Sequence, residues 1–295
     1  VLYSIMKNYI LFILFSISLL SLTSLASVSY AQSNSNLYVS AENTIFENYF
    51  AGPMVIEVVI DDSNISSLTG SVQEPTVTID DKKLNMVQSD DGKWYGYFAD
   101  KTQAQKADSL VGLPGYGLDF GEMCSNTSSI TGLSLLETSG FTIPRDISLS
   151  SNGQEALVTC TGDVSSSDQL INNVVREAPA LNTQSNSTGQ TGIDEDVWPL
   201  IQLYDIDSGD DVTVKYEKGS STQSVELTFE PTDQFATITL ADTFYRPGEN
   251  VTIDISDHML NIDPTDEDSW TWASMSGSDG LFYQLFDEDG ATDAD

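Results

Sequence analysis

An all-β fold of tandem immunoglobulin-like antiparallel β-sandwich domains, with short helical insertions, is predicted by three observations. Short runs rich in Val, Ile, Thr and aromatic residues recur at even spacing, with Gly, Pro, Asn and Asp clusters between them. Within the runs, apolar and polar residues alternate with the two-residue period of a half-buried strand. No alternation of strands with long helical patterns is present, so a parallel βαβ architecture has no support.

The clearest module spans residues 245–268, YRPGENVTIDISDHMLNIDPTDED. Arg246-Pro247-Gly248 is a turn sequence, because Pro presets φ and Gly accepts positive φ. Val251, Ile253 and Ile255 then alternate with Thr252, Asp254 and Ser256. The strand runs into Asp257, Asn261, Asp263, Asp266, Glu267 and Asp268. The same order of turn, core strand and acidic loop appears earlier: Phe50-Ala51-Gly52-Pro53, then residues 54–60, then Asp61, Asp62 and Asn64.

In chain order, residues 1–31 read as a secretory signal peptide. Lys7 gives a positive start, residues 10–25 an apolar run, and Ser29-Tyr30-Ala31 a small-residue cleavage site. This places the body outside the cell, with no transmembrane segment beyond the signal peptide. Residues 32–181 are expected to form a first β-sandwich domain with strands at 54–60, 75–79, 84–88, 93–99 and 156–161. Asp80-Asp81 and Asp90-Asp91-Gly92 supply hairpin turns between them. Asp100 is placed to cap a short helix reaching residue 110, and residues 167–177 have helical spacing up to Pro179. Residues 182–192 are polar, uncharged and rich in Ser, Thr, Asn and Gly, the composition of a linker. Residues 193–295 are expected to form a second, acidic immunoglobulin-like domain with strands at 198–204, 211–216, 224–230, 235–240, 250–255 and 280–286. That domain reads as truncated.

Asp and Glu number 45 against 11 Lys and Arg, a formal net charge of −34. Such a field repels nucleic acid and attracts cations, so nucleic-acid binding is excluded. Two cysteines in an exported chain, Cys124 and Cys160, read as one disulfide. Closing that loop contributes ~3–4 kcal/mol in the chain-entropy account. Asn64, Asn126, Asn186 and Asn250 each begin an Asn-x-Ser/Thr sequon, a glycan acceptor in an exported protein.

Asp257, Asn261, Asp263, Asp266 and Asp268 crowd oxygen donors into one loop, and Ca2+ is the ion such donors suit. Asp61, Asp62 and Asn64 are the weaker counterpart. The spacing is not that of an EF-hand, since Ile262 stands where Gly is required and Asp268 where Glu is. His258 is the only histidine, and no nucleophile motif accompanies it, so hydrolase chemistry has no anchor. Blue-copper chemistry needs two histidines and a free cysteine, and is excluded. Trp94, Tyr95, Tyr97, Trp198, Trp270 and Trp272 fall on strand-like alternation, which favours packing over a sugar-binding surface.

The segments FAGPMVIEVVIDDSNIS, LNMVQSDDGKWYGYFADKTQA and GLDFGEMC, together with the 245–268 module, resemble the surface-layer (S-layer) proteins of ammonia-oxidising archaea. The resemblance covers most of the chain after the signal peptide, as an N-terminal fragment of a longer protein. It implies a glycosylated, acidic, non-enzymatic structural subunit of the cell envelope. Such a subunit self-associates into a two-dimensional lattice on the cell surface and concentrates small cations, ammonium among them. The competing expectation is a secreted or surface-attached adhesin or carbohydrate-binding module.

Overall fold

The computed structural model describes residues 35–69, 73–109, 119–130, 132–144, 158–159, 174–182, 193, 195–266 and 268, and four two-residue strands beyond. The expected signal peptide, Cys160, Asn186 and most of the expected linker lie outside the described residues.

The strands are β1 (Leu37–Val39), β2 (Tyr49–Phe50), β3 (Ile56–Ile60), β4 (Thr76–Ile79), β5 (Lys82–Leu84), β6 (Val87–Gln88) and β7 (Trp94–Asp100). The helix α1 (Lys101–Asp108) follows. Next come β8 (Glu122–Cys124), β9 (Ser129–Ile130), β10 (Gly140–Ile143), β11 (Val158–Thr159), β12 (Ile201–Tyr204), β13 (Asp211–Lys218) and β14 (Ser221–Phe229). The chain continues through β15 (Thr237–Leu240), β16 (Ile253–Ser256), β17 (Ser274–Met275), β18 (Leu281–Phe282), β19 (Leu285–Phe286) and β20 (Thr292–Asp293).

Two sheets carry the core. One runs β1-β3-β7-β12-β10-β8, with β6 added beside β7; the other runs β2-β14-β13-β4-β5. Their inner faces share one apolar cluster that includes Ile56, Val58, Ile60, Trp94 and Phe98 from the first sheet. Val77, Ile79, Val212, Val214, Leu227 and Phe229 enter it from the second. Phe50 links the layers, with its ring 4.9 Å from Phe229 and 6.4 Å from Phe98. Fully burying one such aliphatic or aromatic side chain stabilises the fold by about 1.5–3 kcal/mol.

The turns follow local chemistry. Asp80 and Asp81 take φ of 48° and 67° between β4 and β5, a left-handed pair that Asp tolerates. Gly92 has φ of 87° and sits so close to the Ser66 carbonyl that a Cβ there would lie 2.7 Å from it. Asp100 caps α1 by accepting from the Gln103 N–H at 2.8 Å, and Ala104 on the helix is fully buried.

Three expectations need correction. The sheets are mixed rather than wholly antiparallel: β12 pairs parallel with β7, and β2 parallel with β14. A division at 182–192 does not separate two cores either. β12 and β13 follow that stretch, yet they join β7 and β4 in the sheets built before it. Finally, residues 174–177, the described end of the expected 167–177 helix, are not helical, with bends at 174, 175 and 177. There the Val174 N–H donates to the Asp119 carbonyl, and the Arg176 N–H to the Asp263 carboxylate.

Candidate functional site

Both acidic loops begin with the same turn. At the first, Asp62 Oδ1 accepts from the Asn64 N–H (3.0 Å) and the Asp62 carbonyl from the Ile65 N–H (2.9 Å). At the second, Asp257 Oδ1 accepts from the Met259 N–H (3.0 Å) and its carbonyl from the Leu260 N–H (3.1 Å). Short acidic side chains favour this turn because the carboxylate bonds the backbone two residues ahead. The sequence repeat is thus also a repeat of backbone geometry.

Beyond Asp257, the second loop folds inward. Ile262 is buried in the core, and its carbonyl accepts from the Val55 N–H at 3.0 Å. Asp263 is 1 % exposed. Its Oδ1 accepts from the Thr265 N–H and hydroxyl at 2.9 and 2.6 Å, and its Oδ2 from the Arg176 N–H at 3.1 Å. Asp268 Oδ2 accepts from the backbone N–H groups of Ile262 and Asp263. The Arg176 guanidinium lies among the carboxylates: Nε is 3.4 Å from Asp263 and 3.2 Å from Asp266, and Nη2 is 3.3 Å from Asp268. Burial pushes the carboxyls of Asp263 and Asp268 above the usual range, against the pull of their hydrogen bonds and of Arg176. Glu57 is raised by burial as well, with Tyr97 donating to it at 2.9 Å and Asp263 adding negative charge nearby.

This arrangement does not fit Ca2+ on the expected ligand set. Asp257 serves as a turn cap and Asn261 is exposed at the end of the 258–260 turn. Asp263 and Asp268 have both oxygens taken by N–H or hydroxyl donors, and the cationic position is held by Arg176. Among the described residues, no group of three His, Cys, Asp or Glu side chains is placed to hold a metal. The sequence did carry a signal for Arg176. It is an isolated base in a strongly acidic chain, where a buried carboxylate cluster must find its counter-charge.

The weaker set is also an internal ion pair. Asp62 is 3 % exposed; its Oδ2 accepts from the Tyr216 hydroxyl and the Lys218 ammonium, both at 2.9 Å. Burial alone would raise this carboxyl, but Lys218, Asn64 and Tyr216 together outweigh it and hold it at about 2. Asp61 is exposed and lies 3.9 Å from the Lys93 ammonium.

Of the other expected residues, His258 stacks on Phe46 with ring centroids 4.2 Å apart. Its Nε2 is buried without a hydrogen-bond partner, and burial lowers its pKa, which suits a packing role. Trp94 is fully buried, and Trp198 packs 5.5 Å from buried Tyr97. Trp270 and Trp272 lie outside the described residues. Cys124 is buried at the end of β8, while Cys160 is not described. The sequons differ in presentation. Asn64 Nδ2 donates to Asp62 at 2.8 Å, and Asn126 Nδ2 to the Thr138 carbonyl at 2.9 Å, whereas Asn250 is exposed just after the Pro247–Gly248 turn.

Among the described residues, no helix is long and apolar enough to cross a membrane. No family model matches the chain, and neither does any curated protein.

Proposed function

We propose that this chain is a structural subunit of an acidic surface-layer lattice outside the cell, with no catalytic turnover of its own. The observation that carries this reading is where the positive charge goes. Lys83 pairs with Glu74 and Lys215 with Asp81, each at 2.8 Å; Lys218 is drawn onto Asp62 and Arg176 into the Asp263–Asp268 loop. Each of these cations is paired with a carboxylate of the same chain, whose formal net charge is −34. A surface of that sign concentrates small cations, ammonium among them, within roughly one Debye length, ~8 Å at physiological salt. The attraction is diffuse rather than lodged at Asp257–Asp268.

Two facing sheets over one apolar core support an immunoglobulin-like sandwich as the repeating unit of the coat. In the same reading Cys124 and Cys160 form a disulfide, and Asn250 is the best-presented glycan acceptor of the four. Burial of Trp94 and Tyr97 argues against the adhesin alternative, because these aromatics are not available to stack on a sugar.

The test is electron microscopy of the native envelope with an antibody against this chain. A periodic label over the cell exterior is expected. Label in the cytosol, or sparse label among other envelope components, would end the proposal.

A further inference from the structure

The chain contains one Asp-Pro bond, Asp263–Pro264, and the fold places it in the loop that closes on Arg176. That loop follows β16, whose Ile253 and Ile255 are 52 and 42 % exposed where the matching Val58 and Ile60 of β3 are buried. An Asp-Pro bond has its own chemistry. Pro has no backbone N–H, so its nitrogen cannot close on the Asp side chain as the next residue's nitrogen ordinarily does. The route left within the residue pair is attack by a side-chain oxygen on the main-chain carbonyl carbon of the same Asp, closing a five-membered anhydride.

Asp263 is held for that attack. Its Oδ1 accepts from the Thr265 N–H at 2.9 Å and from the Thr265 hydroxyl at 2.6 Å. The ring closed by the first of these bonds contains the 263–264 peptide, so the carboxyl is folded over it. On the other side, Asp268 Oδ2 accepts from the N–H groups of Ile262 and Asp263, and the Ile262 carbonyl accepts from Val55. Orientation fixed in this way removes much of the entropic barrier to an intramolecular step. Asp263 is 1 % exposed while Pro264 is half-buried, so water reaches the bond from the Pro264 side.

We infer that Asp263–Pro264 is a self-cleavage site, at which the Asp263 carboxyl attacks its own main-chain carbonyl in mild acid and parts the chain ahead of Pro264. Asp263 enters as the neutral acid. A bond forms from a side-chain oxygen to the Asp263 carbonyl carbon, and the bond from that carbon to the Pro264 nitrogen breaks. The electron pair of the broken bond stays on nitrogen, which takes the carboxyl proton. Water then opens the anhydride, leaving two carboxyls on Asp263 and a secondary amine on Pro264. Burial favours the neutral acid, as does negative charge from Glu57 on β3 and Asp268 on the loop; Arg176 and the Thr265 donors oppose it, and the Tyr97 hydroxyl on β7 is uncharged. The cut happens once per chain, so it adds no turnover to the function proposed above.

Intact-mass spectrometry of the full mature chain tests this, over the part of the range from about pH 4 to 7 in which circular dichroism shows it folded. Two fragments meeting at 263 and 264 are expected, in a yield that grows as pH falls. The folded chain should cut about tenfold faster or more than the same chain unfolded in urea at the same pH. Pro264→Ala keeps Asp263 and its Thr265 partner and should cut about tenfold more slowly or less. Added hydroxylamine should be carried as a hydroxamate on the fragment ending at Asp263, the mark of an anhydride. The inference is overturned if the folded chain stays intact, if the unfolded chain cuts as fast, if Pro264→Ala cuts equally fast, or if no hydroxamate forms.

Discussion

Asp62 and Asp263 are both buried carboxylates in acidic turns, yet their surroundings push them in opposite directions. At Asp62, the cost of burial is outweighed by Lys218, Asn64 and Tyr216, so the folded value of about 2 lies below the ordinary 3.8. A depressed carboxylate stabilises the fold fully above its unfolded value, and that stability is lost as pH falls through the folded one. Asp62→Asn should therefore lower the unfolding free energy at neutral pH by about 2 kcal/mol, and should flatten the loss of stability on acidification from 3.8 to about 2. Urea unfolding across that range checks both. Asp263 and Asp268 carry the reverse sign, since burial raises them and their ionisation costs the fold. For them, stability is gained as pH falls from the raised value toward 3.8. Arg176 limits the cost, so Arg176→Ala should destabilise by about 3 kcal/mol at neutral pH. The deficit should shrink as the medium is acidified toward the ordinary carboxylate range, as read by thermal melting. A deficit independent of pH would mean that Arg176 acts only through packing.

At the scale of elements, much was legible because strand period and turn chemistry are local. The runs at 54–60, 75–79, 93–99 and 211–216 became β3, β4, β7 and β13 with small changes of boundary. Asp100 caps α1 as its sequence position implied, and its other oxygen accepts from the Ile206 N–H at 3.2 Å, joining the helix to the segment after β12. Asp100→Ala should then cost about 1–2 kcal/mol, the upper part of the range for a cap, because two segments lose an acceptor. Chemical denaturation provides the measure, and a change near zero would show that the cap is replaced by water. The run at 84–88 was not continuous, for a reason no local pattern contains. Gln202 takes both the N–H and the carbonyl of Asn85 at 2.9 Å, which interrupts the strand between β5 and β6. Its partner lies more than a hundred residues away in the chain.

For the molecule as a whole, charge is the dominant variable. Self-repulsion at a net −34 opposes compactness and is screened by salt. The melting temperature should rise as sodium chloride is increased from low to physiological concentration, and a chelator should leave it unchanged at constant ionic strength. A marked fall on chelation would restore a specific divalent site to the acidic loops. Under the function proposed above, the same charge makes copies repel until cations screen them, so assembly should depend on ionic strength.

By itself, the sequence determined the β-rich class, the turns, the helix cap, the repeated module and the excess of negative charge. These depend on residue type and on spacing over a few neighbours. Tertiary structure alone decided that β12 and β13 join sheets begun far earlier in the chain, and that the carboxylates of the second acidic loop close on Arg176 instead of opening toward a metal. It also decided that matching strands of the repeat meet opposite fates, one sealed between two layers and one bare. Partner choice of this kind is governed by which distant groups satisfy buried charge and apolar surface, and a periodic pattern records the need for a partner without recording its address.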